Sequence, residues 1–220
     1  MDIKEKRRQE EELLKKWKEI NPNIITDGVV SWEDYATSNP KILFVLKEVN
    51  SDEPNWDLRE FTRDGARNYT WDNITRWIIG IRNIDQDYNW QKIKEISEQE
   101  RKEVLKSIAA INLKKETGGG AVADNDTIYK HAINDKELLK NQVDIYDPDL
   151  IICCGTGTAF LESVYSEKIV KCEITFNGVD YVKDNNRVIV LYNHPQARVS
   201  PNFLYYPLID ALREIYGLHG

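Results

Sequence analysis

Cysteine is scarce in this chain, and that scarcity limits the metal chemistry that it can support. The 220 residues include three cysteines, Cys153, Cys154 and Cys172, and no Cys-x-x-Cys pair. A thiolate zinc site or an iron–sulfur cluster needs several such ligands. Neither site is expected, and the adjacent Cys153 and Cys154, which lie within an apolar run, are typical of small buried side chains.

Long hydrophobic runs are also missing. A bilayer crossing needs about 20 consecutive apolar residues, and no uninterrupted apolar stretch of this sequence approaches that length. The opening segment Met1–Arg8 is mostly charged and lacks the apolar part of a secretory signal. These two absences predict a cytoplasmic protein that does not act at a membrane.

Positive charge is in deficit, because the formal net charge is −7 at pH 7. A protein that coats nucleic acid without sequence preference needs a broad positive surface, so this composition is evidence against that class. A local basic rim stays compatible with the sequence. The candidates for such a rim are Lys114, Lys115, Arg59, Arg63, Arg67 and Arg198.

Two phosphate-binding signatures do not occur. No Gly-x-Gly-x-x-Gly follows the first apolar run, and no Gly-x-x-x-x-Gly-Lys-Ser/Thr is present anywhere. Dinucleotide binding and a P-loop NTPase activity are therefore not expected.

The sequence does contain four continuous apolar runs, each followed by polar or glycine residues. They are Ile42–Leu46, Ile108–Ile111, Leu150–Cys154 and Val188–Tyr192. Continuous rather than alternating apolar runs predict strands that are buried on both faces, as in a parallel sheet covered by helices. We therefore predict an α/β fold, a three-layer α/β/α sandwich around a central, mostly parallel four-stranded sheet.

The spacing between these runs predicts the remaining elements of one domain over residues 1–220, which is long enough for a sizeable core. A charged amphipathic helix is expected over residues 4–20, an irregular segment from Glu48 to Asn68, and a hairpin that turns at Asn177-Gly178. Gly155-Thr156-Gly157-Thr158 should cap a helix. Further helices are expected at about Trp71–Ile81, Ser97–Ser107, Asn125–Tyr146 and Tyr206–Tyr216.

Three polar residues follow three of the predicted strands: Glu48, Asn112 and His194. Ligands of open α/β sheets bind at the carboxyl ends of the strands, so these side chains should gather at one edge. The carboxylate of Glu48 can act on water or stabilise a cation, the amide of Asn112 can read a base edge, and His194 can donate to an oxyanion. The alternative roles are structural: an ion pair with Lys47 or Lys114, a turn-capping amide, and a partly buried imidazole.

The order of these motifs resembles the uracil-DNA glycosylase superfamily. ILFVLKEVNSDE, from Ile42, is similar to its water-activating motif, and IAAINLKK to the strand that ends in its base-reading asparagine. PDLIICCGTGTAFL, from Pro148, is similar to its strand–glycine–helix unit, and NHPQARVSP to its His-Pro-Ser-Pro loop. The resemblance spans roughly residues 40 to 215 and, in the His-Pro loop, comes nearest to the single-strand-selective branch.

The resemblance implies a DNA N-glycosylase that needs no metal or other cofactor and binds single-stranded or damaged DNA. Its substrate would be a flipped uracil or a related damaged base. The catalytic residues would be Glu48, which positions water, and His194, which stabilises the leaving base. The substrate-binding residues would be Asn112 on the base edge, Phe61 and Trp56 stacked on the base, and Arg198 as a wedge in the vacated space.

The sequence also departs from the family pattern, which leaves two alternatives open. Leu46 stands where most members have glycine, Val49 where many have proline, and Gln196-Ala197 replaces Ser-Pro. Leu46 and Val49 favour a noncatalytic module of the same fold that binds nucleic acid or a free base. The other alternative is an unrelated α/β hydrolase or transferase that acts on a small nucleotide, for which Glu48, Asn112 and His194 would not face one cavity.

Overall fold

A computed structural model describes residues 2–51, 53–66, 69–86, 89–118, 123–165 and 171–218. These residues form ten helices and seven strands. The strands are β1 (Gly28–Val29), β2 (Ile42–Leu46), β3 (Ile108–Asn112), β4 (Leu150–Cys154), β5 (Cys172–Ile174), β6 (Asp180–Asp184) and β7 (Arg187–Tyr192). The helices are α1 (Ile3–Ile20), α2 (Trp32–Thr37), α3 (Leu58–Arg63), α4 (Tyr69–Arg82), α5 (Trp90–Ile93), α6 (Glu98–Leu105), α7 (Asn125–Asn134), α8 (Lys136–Tyr146), α9 (Gly157–Val164) and α10 (Asn202–Ile215).

All seven strands belong to one mixed sheet in the order β1-β3-β2-β4-β7-β6-β5. The α/β class is therefore confirmed, whereas the prediction of a four-stranded sheet is wrong. The four apolar runs form the middle of the sheet, β3-β2-β4-β7, in which neighbouring strands are parallel. The other three strands, β1, β6 and β5, pair antiparallel outside them.

The added strands are short or polar, which explains why the apolar pattern does not indicate them. Strand β1 has two residues, and all three residues of β5 are exposed. The predicted hairpin is present as β5 and β6, and β6 extends the sheet because all five of its residues pair with β7, from Arg187 to Leu191.

Helices cover both faces of the sheet, because successive strand residues point to opposite sides. Ile42, Phe44 and Leu46 join one buried cluster with residues of α4 and α10. Leu43 and Val45 join a second cluster, on the other face, with residues of α1, α8 and α9. We call these the α4/α10 face and the α1/α8 face.

Three of the predicted elements need correction. The segment from Glu48 to Asn68 contains helix α3, and the Asp57 carboxylate caps its N-terminus by accepting a hydrogen bond from the Arg59 N–H (2.8 Å). The expected helix over Asn125–Tyr146 is two helices, because Asp135 leaves the helical conformation and its carboxylate accepts a hydrogen bond from the Trp17 indole (3.0 Å). Helix α10 begins at Asn202 rather than Tyr206 and accommodates Pro207.

None of the helices in the described ranges has the length and apolar character that a bilayer crossing requires.

Candidate functional site

The carboxyl ends of the four parallel strands present a row of side chains on the α4/α10 face. Leu46 lies opposite Asn112 in the β2–β3 ladder, and Cys154 lies opposite Tyr192 in the β4–β7 ladder. Leu46, Cys154 and Tyr192 belong to the cluster of the α4/α10 face, and Asn112 has the same alternation as Ile108 and Ala110 of that cluster. The row crosses four strands, so its ends are about 14 Å apart.

Asn112 is the polar member of this row and is almost completely buried, with 1% of its surface exposed. Its backbone N–H donates to the carboxylate of Asp27 (2.7 Å). Its side-chain Nδ2 has no hydrogen-bond partner among the described residues. An unpaired buried donor costs about 1–3 kcal/mol, so this amide is an unsatisfied donor at the end of β3.

Glu48 lies beside Lys114, two residues beyond the Leu46–Asn112 pair, because β2 and β3 continue to pair beyond their ends. The N–H of Lys114 donates to the carbonyl of Lys47 (3.0 Å), and the N–H of Gly118 to that of Val49 (2.7 Å). The Glu48 carboxylate accepts a hydrogen bond from Lys114 Nζ (2.5 Å). A Cβ at Gly118 would collide with this carboxylate, so glycine there lets the chain pass close to it.

His194 follows β7, two strands away from β2 and thus about 10 Å from it. Its Nδ1 accepts a hydrogen bond from the Gln196 N–H (3.1 Å), which assigns the proton of the neutral ring to Nε2. Burial, together with the positive charge of Lys47, lowers the pKa of His194 from 6.5 to about 4. At neutral pH the residue is therefore an uncharged hydrogen-bond donor.

A hydrogen bond from α4 holds the loop that contains His194 at this edge. The Asn73 amide of α4 donates to the carbonyl of Pro195 (2.7 Å), which ties the loop to the α4/α10 face. At Gly155, whose φ is +70°, an ideal Cβ would lie 3.7 Å from His194 Cβ and 3.3 Å from Lys47 Cε. The strand ends of β2, β4 and β7 therefore meet around Gly155.

Lys47 is a site residue that we did not predict as one. Its ammonium donates to the side chain of Asn125, at the start of α7 (2.8 Å), and it lies close enough to His194 to influence that group's pKa. The signal in the sequence is a lysine directly after an apolar run.

Trp56 and Phe61 form an edge-to-face pair with ring centroids 5.5 Å apart. Trp56 is half-buried and packs against the cluster of the α4/α10 face, the face on which Asn112 lies. Phe61, on α3, is 39% exposed. The two aromatic residues predicted to stack on a base are thus in contact with each other, and one of them is open to solvent.

Arg198 is exposed in the loop between His194 and α10. The rest of the predicted basic rim is only partly present. Lys115 is buried against Asp27, and Arg59 is paired with Glu10, Glu11 and Asp57. The guanidinium of Arg63 donates to the carbonyl of Val30, and Arg67 lies outside the described residues.

The Gly155–Thr158 turn also differs from the prediction. Thr156 occupies the N-cap position of α9 but forms no side-chain cap, because its hydroxyl donates instead to the carbonyl of Val45 (2.8 Å). The threonine therefore links β4 to β2 at the edge where the site residues lie.

Among the residues that the structure describes, two of the cavities that open at the surface are well formed, and neither of these two is lined by any of the six predicted site residues. One, of about 570 Å³, lies between the start of α7, the Gly155–Ala159 turn, the Gly178–Asp180 turn and the end of β7. The other, of about 380 Å³, lies beside α1, β1 and α3. Leu46, 6% exposed, occupies the position next to Asn112.

The edge therefore holds Asn112 at the end of β3 and Glu48 two residues beyond the end of β2. His194 lies beyond Gly155, and Trp56 packs on the same face as Asn112. Within the described ranges, no group of three or more His, Cys, Asp or Glu side chains is arranged to hold a metal ion.

No protein-family model matches the chain. A search of curated proteins also finds no match.

Proposed function

We propose that this protein is a DNA N-glycosylase of the uracil-DNA glycosylase type, which hydrolyses the N-glycosidic bond of a flipped uracil or a related damaged base. The observation that carries the proposal is the buried amide of Asn112 at the carboxyl end of a parallel strand, whose nitrogen has no partner in the described part of the chain. A base edge with a carbonyl acceptor would satisfy this donor. The proposal includes a fold of that type, with the four parallel strands as its core.

The protonation state of His194 also supports the proposal. When the N-glycosidic bond breaks, its electron pair leaves with the base, so negative charge grows on the base carbonyls. A neutral imidazole with its proton on Nε2 can donate a hydrogen bond to such an oxygen without losing that proton. Because the pKa of His194 is about 4, the ring stays neutral at physiological pH.

Glu48 would act on the opposite side of the breaking bond. Its carboxylate orients a water molecule toward the sugar carbon, stabilises the positive charge that develops there and accepts the water's proton as the new C–O bond forms. Phe61 and Trp56 would stack on the flipped base, and base–aromatic contacts of this kind contribute about 1–3 kcal/mol each. Flipping is cheapest from a single strand, where no base pair has to open.

The experiment is an abasic-site assay on single-stranded oligonucleotides that contain one uracil. Wild type should create abasic sites, and Glu48→Gln and Asn112→Ala should each abolish them. Asn83→Ala, at the end of α4, is the matched asparagine control and should keep wild-type activity. Absence of cleavage by wild type in this assay contradicts the proposal.

A noncatalytic module that binds a base is the second candidate. It is favoured by Leu46, which is buried beside Asn112, and by the ion pair that engages the Glu48 carboxylate with Lys114. This candidate predicts no cleavage but measurable oligonucleotide binding, which Asn112→Ala abolishes and Glu48→Gln leaves in place.

The alternative of an unrelated hydrolase on a small nucleotide is favoured by the position of the cavities, because neither contains Glu48, Asn112 or His194. It predicts turnover of free nucleotides that is insensitive to Asn112→Ala. The same three variants therefore separate all the candidates.

A further inference from the structure

A buried polar cluster lies behind Asn112, on the α1/α8 face of the sheet. Lys115, 2% exposed, donates from Nζ to both carboxylate oxygens of Asp27 (2.7 and 2.9 Å) and to Gln142 Oε1 (2.9 Å). The Gln142 amide donates in turn to Asp27 (3.0 Å). The Lys115 ammonium also lies 4.5 Å from the ring centroid of Trp17.

This cluster contacts the candidate site through a hydrogen bond to the backbone nitrogen of Asn112. Strand β1 pairs with β3 only at Ala109 and Ala110, so it ends before it reaches Asn112. The Asp27 carboxylate accepts a hydrogen bond from the Asn112 N–H (2.7 Å), where a longer strand would have offered a backbone carbonyl. On the opposite side, the next N–H, of Leu113, donates to the carbonyl of Leu46 (3.0 Å).

Stability alone does not account for a charged pair at this place. A buried ion pair is often no better for folding than apolar residues of the same volume, because desolvation offsets the attraction between the charges. Here the pair has a defined geometry. Lys115 compensates the charge of Asp27, and one oxygen of the Asp27 carboxylate also accepts a hydrogen bond from the Asn112 N–H.

We propose that Asp27 and Lys115 are positioning residues that fix the backbone of Asn112, so that its side-chain amide presents the correct donor to a bound base. This inference rests on the proposed function and deepens it. Neither residue touches the base. They act through Asn112, and their removal therefore weakens recognition of the base during catalysis, which lowers kcat/KM.

Two double variants separate positioning from charge. In D27N/K115M both charges are removed, but the asparagine oxygen can still accept the Asn112 N–H. In D27L/K115M the side chain keeps the same shape but has no acceptor. The control is D72N/R101M, which removes the ion pair between α4 and α6 (2.8 Å) and perturbs folding at a distance from Asn112.

The first readout is uracil excision under single-turnover and steady-state conditions. Displacement of a group that positions the substrate costs about 100-fold in rate, so D27L/K115M should lower kcat/KM by about that factor. D27N/K115M and D72N/R101M should stay close to wild type. A wild-type kcat/KM in D27L/K115M, or an equal loss of kcat/KM in D72N/R101M, overturns the inference.

The second readout does not depend on activity and is the NMR signal of the Asn112 side-chain amide. It should shift in D27L/K115M and stay unchanged in D27N/K115M and D72N/R101M. If wild type excises no uracil, the proposed function fails, but this signal still decides whether the pair positions Asn112. An unshifted signal in D27L/K115M overturns the inference. Should that variant not fold, D27S/K115M replaces it, because serine leaves room for water but does not reach the N–H.

Discussion

At the scale of single residues, two buried asparagines of this protein are in opposite situations. Asn73 is fully paired, since its amide donates to the Pro195 carbonyl and its oxygen accepts from Arg76. Asn112 has a side-chain nitrogen with no partner among the described residues. The same substitution should therefore have different effects at the two positions.

We predict that Asn112→Leu leaves the free energy of unfolding unchanged or raises it by about 1 kcal/mol, because it removes an unpaired buried donor without changing the branching of the side chain. Asn73→Leu should lower the free energy of unfolding by about 1–3 kcal/mol, because it leaves the Pro195 carbonyl unpaired. Urea denaturation of both variants is the measurement. Equal losses in the two would mean that the Asn112 amide has a partner within the folded chain.

His194 gives a prediction about pH. Its pKa is about 4 in the folded protein, against 6.5 for an unperturbed histidine, so between these values the unfolded chain binds more protons than the folded one. The contribution of His194 therefore makes the free energy of unfolding fall as pH is lowered from 6.5 to 4. An NMR titration of the imidazole checks the pKa, and His194→Gln should flatten this part of the stability curve. Titration near the unperturbed value would contradict the prediction.

At the scale of helices and strands, elements that are buried on both faces could be predicted and elements that depend on a partner could not. The run Ile42–Leu46 coincides with β2, because every residue of a covered parallel strand is apolar. Strand β1 has two residues, and its pairing is decided by β3. The break at Asp135 depends on the indole of Trp17, which is 118 residues away in the chain.

The contact between α4 and α10 supplies the prediction at this scale. An ideal Cβ at Gly80 would lie 2.5 Å from Tyr205 Cε2 and 2.8 Å from Ile209 Cδ1. Alanine in a helix interior gains about 1 kcal/mol over glycine, but forced overpacking costs about 1–3 kcal/mol. Gly80→Ala should therefore lower the melting temperature, and a Tyr205→Leu background should relieve most of the loss. A higher melting temperature for the single variant would show that the helices separate without cost.

At the scale of the whole molecule, the arrangement of the candidate site was predictable only in part. The parallel order of four strands brings the last residue of β3 and the residues after β2 and β7 to one edge, and the apolar runs indicate those strands. The residues that hold the edge together are not indicated by any pattern. Asp27 and Lys115 are 88 positions apart, and charged residues at such a separation have no periodicity that would predict their burial.

The charge of the whole molecule leads to the last prediction. Single-stranded DNA gives a salt slope of about −0.7 for each phosphate that a protein neutralises. This chain has a net charge of −7, and its basic residues Lys114, Lys115 and Arg59 are already paired with carboxylates, whereas Arg198 is exposed. A uracil-containing single strand should therefore bind through its base, with a slope of only about −1 to −2 between 50 and 200 mM salt by fluorescence anisotropy. An oligonucleotide with an abasic analogue at the uracil position should lose most of its affinity and keep the same slope. A slope several times steeper would mean that phosphate contacts dominate the binding. That result would contradict the prediction, which rests on the pairing of these cations with carboxylates.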